Sequence, residues 1–227
     1  MTASGDGWGA KVVAIDGPAG AGKSTVASEV ARALGWRYLD TGALYRSIAY
    51  AALVRRVDLD DGAALGALAG DLDLELREGR VLVEGRDVSS AIRDNEITDA
   101  VSAVAAHPEV RAALLERQRR EAAAGEVVIE GRDIGSKVVP EAGVKVFLTA
   151  SLEERSRRRA SDLGLSPGEA AEVDLEGSIR ERDEADASRE ASPFRQAPDA
   201  VTVDSTDRAI DQVVAEIVRL VEGRFDG

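Results

Sequence analysis

The run Gly17-Pro18-Ala19-Gly20-Ala21-Gly22-Lys23-Ser24 constrains this chain more than any other feature, because it matches G-x-x-x-x-G-K-[ST]. Lys11 to Asp16 precedes it as a short apolar run and reads as a buried strand. Lys23 to Leu34 follows, with Val26, Val30 and Leu34 four apart as in a helix stripe, and Gly35 is a natural stop. A glycine-rich loop in that setting aims successive N–H groups inward, and the helix N-terminus adds partial positive charge. Gly17, Pro18, Ala19, Gly20, Ala21, Gly22, Lys23, Ser24 and Thr25 are therefore candidate triphosphate-binding residues. Lys23 is expected to reach the outer phosphates and Ser24 to help hold a magnesium ion bound to them. Which of Ser24 and Thr25 is nearer the metal stays open. A ligand-less glycine-rich turn is the competing reading, and the motif alone does not separate a switch, a motor and a small-molecule kinase.

The rest of the chain alternates strand and helix. Trp36 to Leu39 reads as a second strand and Gly42 to Arg56 as a second helix. Leu72, Leu74 and Leu76 alternate with charged residues, and Val81 and Val83 alternate after Glu78-Gly79, which predicts a small exposed hairpin in an inserted subdomain. Pro108 opens a helix to Ala124. Val127 to Glu130, Lys145 to Thr149 and Ala200 to Asp204 read as three more strands, and Arg208 to Val221 as the last helix. This order implies an α/β fold of three layers, the P-loop NTPase type, around a central, mostly parallel five-stranded sheet.

Composition narrows the function. The net charge is −13, so a nucleic-acid-binding role starts at a disadvantage, and an anionic nucleotide needs cations gathered locally. There is no cysteine, which excludes disulfides and thiolate chemistry. No apolar run is long enough to span a membrane, and Met1 to Ala10 lacks a signal-peptide pattern, so a cytoplasmic protein with a frayed tail is expected.

The arginines form three clusters, with a further dense run between the second and the third. In Asp40-Thr41-Gly42-Ala43-Leu44-Tyr45-Arg46, Thr41 and Arg46 face an acceptor, or else Thr41 is a helix N-cap and Arg46 solvated. Arg132 and Asp133 follow a strand at its carboxyl end, where open α/β sheets bind ligands. Leu175 and Ile179 start a helix stripe that continues through Arg182, Asp186 and Arg189, so an apolar face turns polar toward one end. Arg155, Arg157, Arg158 and Arg159 are dense enough to close over phosphates, although Glu–Arg helix pairs account for some of them. His107, the single histidine, reads as structural.

Taken in order, IDGPAGAGKST (Ile15 to Thr25), DTGALYR (Asp40 to Arg46), VSAVAAHPEVR (Val101 to Arg111), EGRDIG (Glu130 to Gly135) and IRERDEADASR (Ile179 to Arg189) resemble the bacterial cytidylate kinases. These belong to the nucleoside monophosphate kinases. The resemblance implies transfer of the γ-phosphoryl group of ATP to CMP or dCMP, with Mg2+, by a monomer that uses neither nucleic acid nor membrane. It implies a core at 11–56 and 101–227, a CMP-binding insert at about 57–100 and a mobile lid at about 153–190. Thr41, Ser102, Arg111, Asp133 and Arg189 are similar to residues around the CMP base, Arg46 and Arg132 to phosphate contacts, and Arg182 and Asp186 to ribose-side contacts. Lys23, Arg132, Arg158 and Arg159 become the catalytic candidates. Thr41 stands where many relatives have serine, and Ser24 where many have glycine.

The chemistry agrees with this expectation. Cytosine offers an N4 amino donor where uracil offers a carbonyl, and the Asp133 carboxylate is a suitable acceptor for it. A phosphate acceptor, with its second pKa at about 6, is mostly ionised already and needs no general base. Two rivals remain at this point. One is a kinase for a hydroxylated metabolite, resembling shikimate kinase, with Asp133 as base. The other is a nucleotide switch, although no N-K-x-D signature is present.

Overall fold

The structure is a computed structural model that describes residues 11–77, 79–166, 168, 170, 173–188 and 194–225. The expected tail over 1–10 and the candidate Arg189 lie outside them. The described residues divide into two compact units, one made of those up to Tyr38, from Ala122 to Ser188 and from Phe194 onward, the other of Leu39–Glu121.

The first unit is built on a sheet of β1 (Val12–Asp16), β2 (Arg37–Asp40), β6 (Val127–Gly131), β7 (Val144–Thr149) and β8 (Val201–Asp204), in the order β2-β6-β1-β7-β8. All five residues of β1 and of β6 are buried, which is why these strands read as continuous apolar runs and not as alternating ones. β1 pairs in parallel with β6 and β7, and Asp16 stands opposite Gly131 on one side and Phe147 on the other. β1 and β6 therefore end level, with β7 running two residues further to Thr149, and these carboxyl ends are the place where this architecture holds ligands. Helices α1 (Lys23–Leu34) and α8 (Ile210–Phe225) bury Val26, Val30, Val213, Ile217 and Val221 in one core with Val13, Ile15, Val128 and Leu148. Among the described residues no helix is long and apolar enough to cross a membrane.

The second unit contains α2 (Thr41–Arg55), α3 (Gly62–Asp71), the antiparallel strands β3 (Leu74–Arg77), β4 (Arg80–Val83) and β5 (Arg86–Asp87), α4 (Asn95–Ala106) and α5 (Pro108–Ala123). The expected hairpin forms, with Leu74 opposite Val83 and Leu76 opposite Val81. The compact unit is wider than the 57–100 segment, because Leu44 and Ile48 of α2, Val104 of α4 and Leu114 of α5 share one core with Leu65 and Leu74.

Helix α3 was not foreseen, and its composition explains why. Gly62, Gly66 and Gly70 lower helix propensity, and a propensity reading stops there. Its start is capped by the Asp61 carboxylate, which accepts from the Ala64 N–H at 2.9 Å, and Leu65 and Leu68 fix its buried face. Packing supplies the rest. A Cβ on Gly66 would stand 2.5 Å from Glu109 Cβ, so the glycine lets α3 lie directly on the first turn of α5. His107 is structural, as expected, its Nε2 donating to the Leu59 carbonyl at 2.8 Å.

Two substitutions in α3 are expected to have opposite signs. Gly66→Ala overpacks the contact with Glu109 and should destabilise the fold by about 1–3 kcal/mol. Gly70→Ala meets nothing within 4 Å and should stabilise it by about 0.5–1 kcal/mol through helix propensity. Denaturant unfolding of both variants checks this, and equal shifts would contradict the packing account.

Candidate active site

The loop leaves β1 at Asp16 and enters α1 at Lys23. A Cβ on Gly17 would lie 2.1 Å from the Leu148 carbonyl oxygen, so only glycine lets the loop turn against β7. Gly22, the helix N-cap, has φ 87°, in the left-handed region. Lys23 is buried and curls across the loop, its ammonium donating to the Pro18 carbonyl at 2.8 Å. Ser24 and Thr25 are exposed on the first turn of α1.

Two buried carboxylates flank this lysine. Asp16 accepts from the N–H groups of Ile134 and Gly135, both at 2.8 Å, which come from the tight helical turn after Asp133. Burial pushes the Asp16 pKa up to about 6, against the pull of those two N–H groups, and Asp133 adds to the rise. Glu130 accepts from Ser24 Oγ at 2.5 Å and from the Tyr38 hydroxyl at 3.2 Å. Burial also pulls the Lys23 pKa down to about 7; Arg132 and Arg182 add to the fall, while Glu130 and Asp16 oppose it. Sequence reasoning singled out neither Asp16 nor Glu130 as a site residue. The signal was present, since each is an acid at the carboxyl end of an otherwise apolar strand.

The helix α7 (Leu175–Ser188) bears out the stripe: Leu175, Ile179 and Asp186 are buried and Arg182 half-buried. Asp186 accepts from Arg132 Nε at 2.7 Å, and the Arg132 guanidinium lies 6.0 Å from the Phe194 ring centre. Asp133 is buried beside it in sequence. Lys23, Arg132, Asp133, Arg182 and Asp186 thus gather in the first unit at the carboxyl ends of β1 and β6.

The arginines of α6 (Leu152–Asp162) divide. Arg157 is exposed and pairs with Glu154. Arg158 donates to the Ala21 carbonyl and Ser205 Oγ, both at 3.0 Å, and to the Ser205 carbonyl at 2.7 Å. Arg159 is half-buried.

In the second unit the cap of α2 is Asp40, whose carboxylate accepts from the Ala43 N–H at 2.8 Å, so Thr41 is not the N-cap but a buried first-turn residue. Arg46 pairs with Asp40 at 3.0 Å. Arg111 lies 5.7 Å from the Tyr45 ring centre, and Ser102 is half-buried on α4.

The family model described as cytidylate kinase matches residues 13–223. The chain belongs to the cytidylate kinase family. A relative named cytidylate kinase from Exiguobacterium sibiricum is 48% identical, covering 93% of this chain and 96% of its own. One from Geobacillus thermodenitrificans is 47% identical, covering 94% and 97%. A protein named bifunctional pantoate ligase/cytidylate kinase from Acaryochloris marina is 46% identical over 94% of this chain, which spans 42% of that longer one. A solved structure of an uncharacterized protein from Eubacterium ventriosum superposes with a TM-score of 0.51 at 12% identity, covering 94% of this chain and 99% of that one, and shows the shared fold.

This family member should carry a pH signature of its buried lysine. The folded pKa of Lys23, about 7, lies below the ordinary lysine value of 10.5, so unfolding takes up a proton in between and stability should rise from about pH 7 to about pH 10. Asp16 has the opposite sign at lower pH, since its folded value of about 6 exceeds 3.8 and its contribution falls across that range. Chemical denaturation from pH 7 to 10 should show a flatter rise in Lys23→Met than in the parent. An unchanged slope would contradict the assignment.

Proposed function

We propose that the protein is a cytidylate kinase that transfers the γ-phosphoryl group of ATP to CMP and dCMP, giving CDP or dCDP and ADP. The carrying observation is the buried carboxylate of Asp133 beside Arg132 and Asp186 at the strand ends, next to a complete phosphate loop, in a chain of this family. Asp133 reads the cytosine N4 amino group. Arg132 and Arg182 bring charge to the acceptor phosphate and ribose side, and Asp186 accepts from a ribose hydroxyl. A deoxy substrate loses only part of that last contact. In the second unit, Arg46 and Arg111 place two guanidiniums on α2 and α5, with Thr41 and Ser102 adding hydroxyls suited to an anionic nucleotide. Arg189 completes the set that the sequence assigns to CMP.

The acceptor oxygen is already ionised, so the residues position and neutralise and do not abstract a proton. Lys23 sits at low dielectric with a depressed pKa, and a polyphosphate beside it favours its charged form. Arg158 and Arg159 are on hand from α6 to meet charge on the transferring group. A magnesium ion fits the hard oxygen donors Ser24 Oγ and Glu130, which lie 2.5 Å apart, with phosphates and water as its other ligands. When bound, it supplies charge neutralisation on the phosphates. The protein acts as a cytoplasmic monomer, and its charge of −13 suits neither nucleic acid nor an anionic membrane surface.

An acceptor panel of CMP, dCMP, UMP, AMP and shikimate with ATP and magnesium tests this. ADP release should depend on CMP or dCMP. Asp133→Ala should erode the preference for CMP over UMP by about ten- to a hundredfold, the effect of mismatching a buried polar group. Turnover indifferent to every acceptor would overturn the kinase reading. Loss with every acceptor in Asp133→Ala would favour a general-base role and a hydroxyl acceptor.

A further inference from the structure

We propose that Arg155, held by Asp183, is a positioning residue that orients the phosphate-binding loop by anchoring its outward-facing backbone. This rests on the loop binding ATP and not on the identity of the acceptor. Neither residue is among those assigned above to ATP, CMP or catalysis.

Arg155 is buried on α6, and its Nη1 donates to the Ala19 carbonyl at 3.2 Å and to Asp183 Oδ2 at 2.5 Å. Asp183 on α7 also accepts from the Ala19 N–H, through Oδ1 at 3.4 Å. The backbone of Ala19 is therefore gripped at both its carbonyl and its N–H by two side chains that are bonded to each other. The helix lies close: a Cβ on Gly20 would stand 3.1 Å from Arg155 Cβ. Three residues along the same face of α6, Arg158 donates to the Ala21 carbonyl at 3.0 Å.

Anchoring these carbonyls has a consequence for the N–H groups. A trans peptide is planar, and its C=O and N–H point in opposite directions. Fixing the Ala19 carbonyl toward α6 turns the Gly20 N–H away from α6, and fixing the Ala21 carbonyl does the same for Gly22. Those are the loop donors that cradle phosphate oxygens. The loop does little of this for itself: Pro18 has no N–H, and the Ala21 N–H reaches the Pro18 carbonyl only at 3.4 Å. Asp183 lies between Arg182 and Asp186 on α7, so the same pair ties the ATP loop to the helix that carries acceptor-side residues.

The test compares Arg155→Met, Asp183→Ala, Asp183→Asn and the Arg155→Met/Asp183→Ala double variant. Mg-ATP affinity is measured by calorimetry without any acceptor, together with KM for ATP and for CMP and the melting temperature without nucleotide. Arg155→Met and Asp183→Ala should each weaken Mg-ATP by about tenfold, while KM for CMP moves by less than about twofold. Asp183→Asn keeps one oxygen, which can accept from Arg155, but puts an amide NH2 where Oδ1 met the Ala19 N–H, so it should fall between the parent and Asp183→Ala, and it keeps the test open if Arg155→Met does not fold. The double variant should be no weaker than the worse single one, because both act through one contact. Unchanged Mg-ATP affinity in both single variants, additive losses, or a parallel rise in both KM values with a lowered melting temperature would overturn the proposal. Absence of CMP-dependent turnover in the parent would count against the proposed activity instead, and the binding comparison would still decide this one.

Discussion

The level ending of β1 and β6 beside a longer β7 is the constraint from which the rest of the first unit follows. Parallel register sets Asp16 opposite Gly131 and Phe147, so the chain must leave β1 in a space bounded on one side by the backbone of β7. Gly17 makes that exit possible against the Leu148 carbonyl. Asp16 then holds the chain leaving β6 by accepting two of its N–H groups, which fixes where Asp133 stands. One carboxylate thus joins the start of the phosphate loop to the residue that we assign to the base. Its raised pKa is the cost of burying a charge there, and two N–H partners and Lys23 offset only part of it.

How much of this was legible in the sequence varied with the physical origin of each element. Buried parallel strands announce themselves as apolar runs, and the loop motif between β1 and α1 is tied to backbone geometry that few other residues tolerate. The stripe through Leu175, Ile179, Arg182 and Asp186 was readable because a helix face has one period whether it meets a core or a polar site. Helix α3 was not, because a glycine at every fourth position looks like a turn until the surface it packs against is known. Thr41 against Asp40 as the cap of α2 is a one-residue ambiguity that local pattern does not resolve, since both types cap well. Asp16 and Glu130 were missed for a different reason: each ends a strand whose apolar residues dominate the reading.

The arginines of α6 show where spacing ceases to inform. Arg155, Arg157 and Arg158 lie within four residues; Glu154 stands three residues before Arg157 and four before Arg158, and the acid that pairs with Arg155 is Asp183 on another helix. Arg157 does stay in solvent on Glu154, and Glu154, paired with both Arg157 and Arg158, has its pKa held low by these partners. Arg155 and Arg158 instead turn inward to loop carbonyls. An i, i+3 spacing selects a common face but does not say what that face meets.

Charge balance explains how an acidic chain can hold so many cations around one anion site. Lys23, Arg132 and Arg182 repel one another at low dielectric, and Asp16, Glu130 and Asp186 keep them assembled. Burial is the larger cause of the fall in the Lys23 pKa to about 7, and repulsion by Arg132 and Arg182 adds to it. A polyphosphate placed beside Lys23 favours its charged form, so ligand and lysine proton bind with linked affinity. The net negative charge of the whole chain then does not oppose binding, because the local field at the loop, and not the total, is what the ligand meets at contact distance.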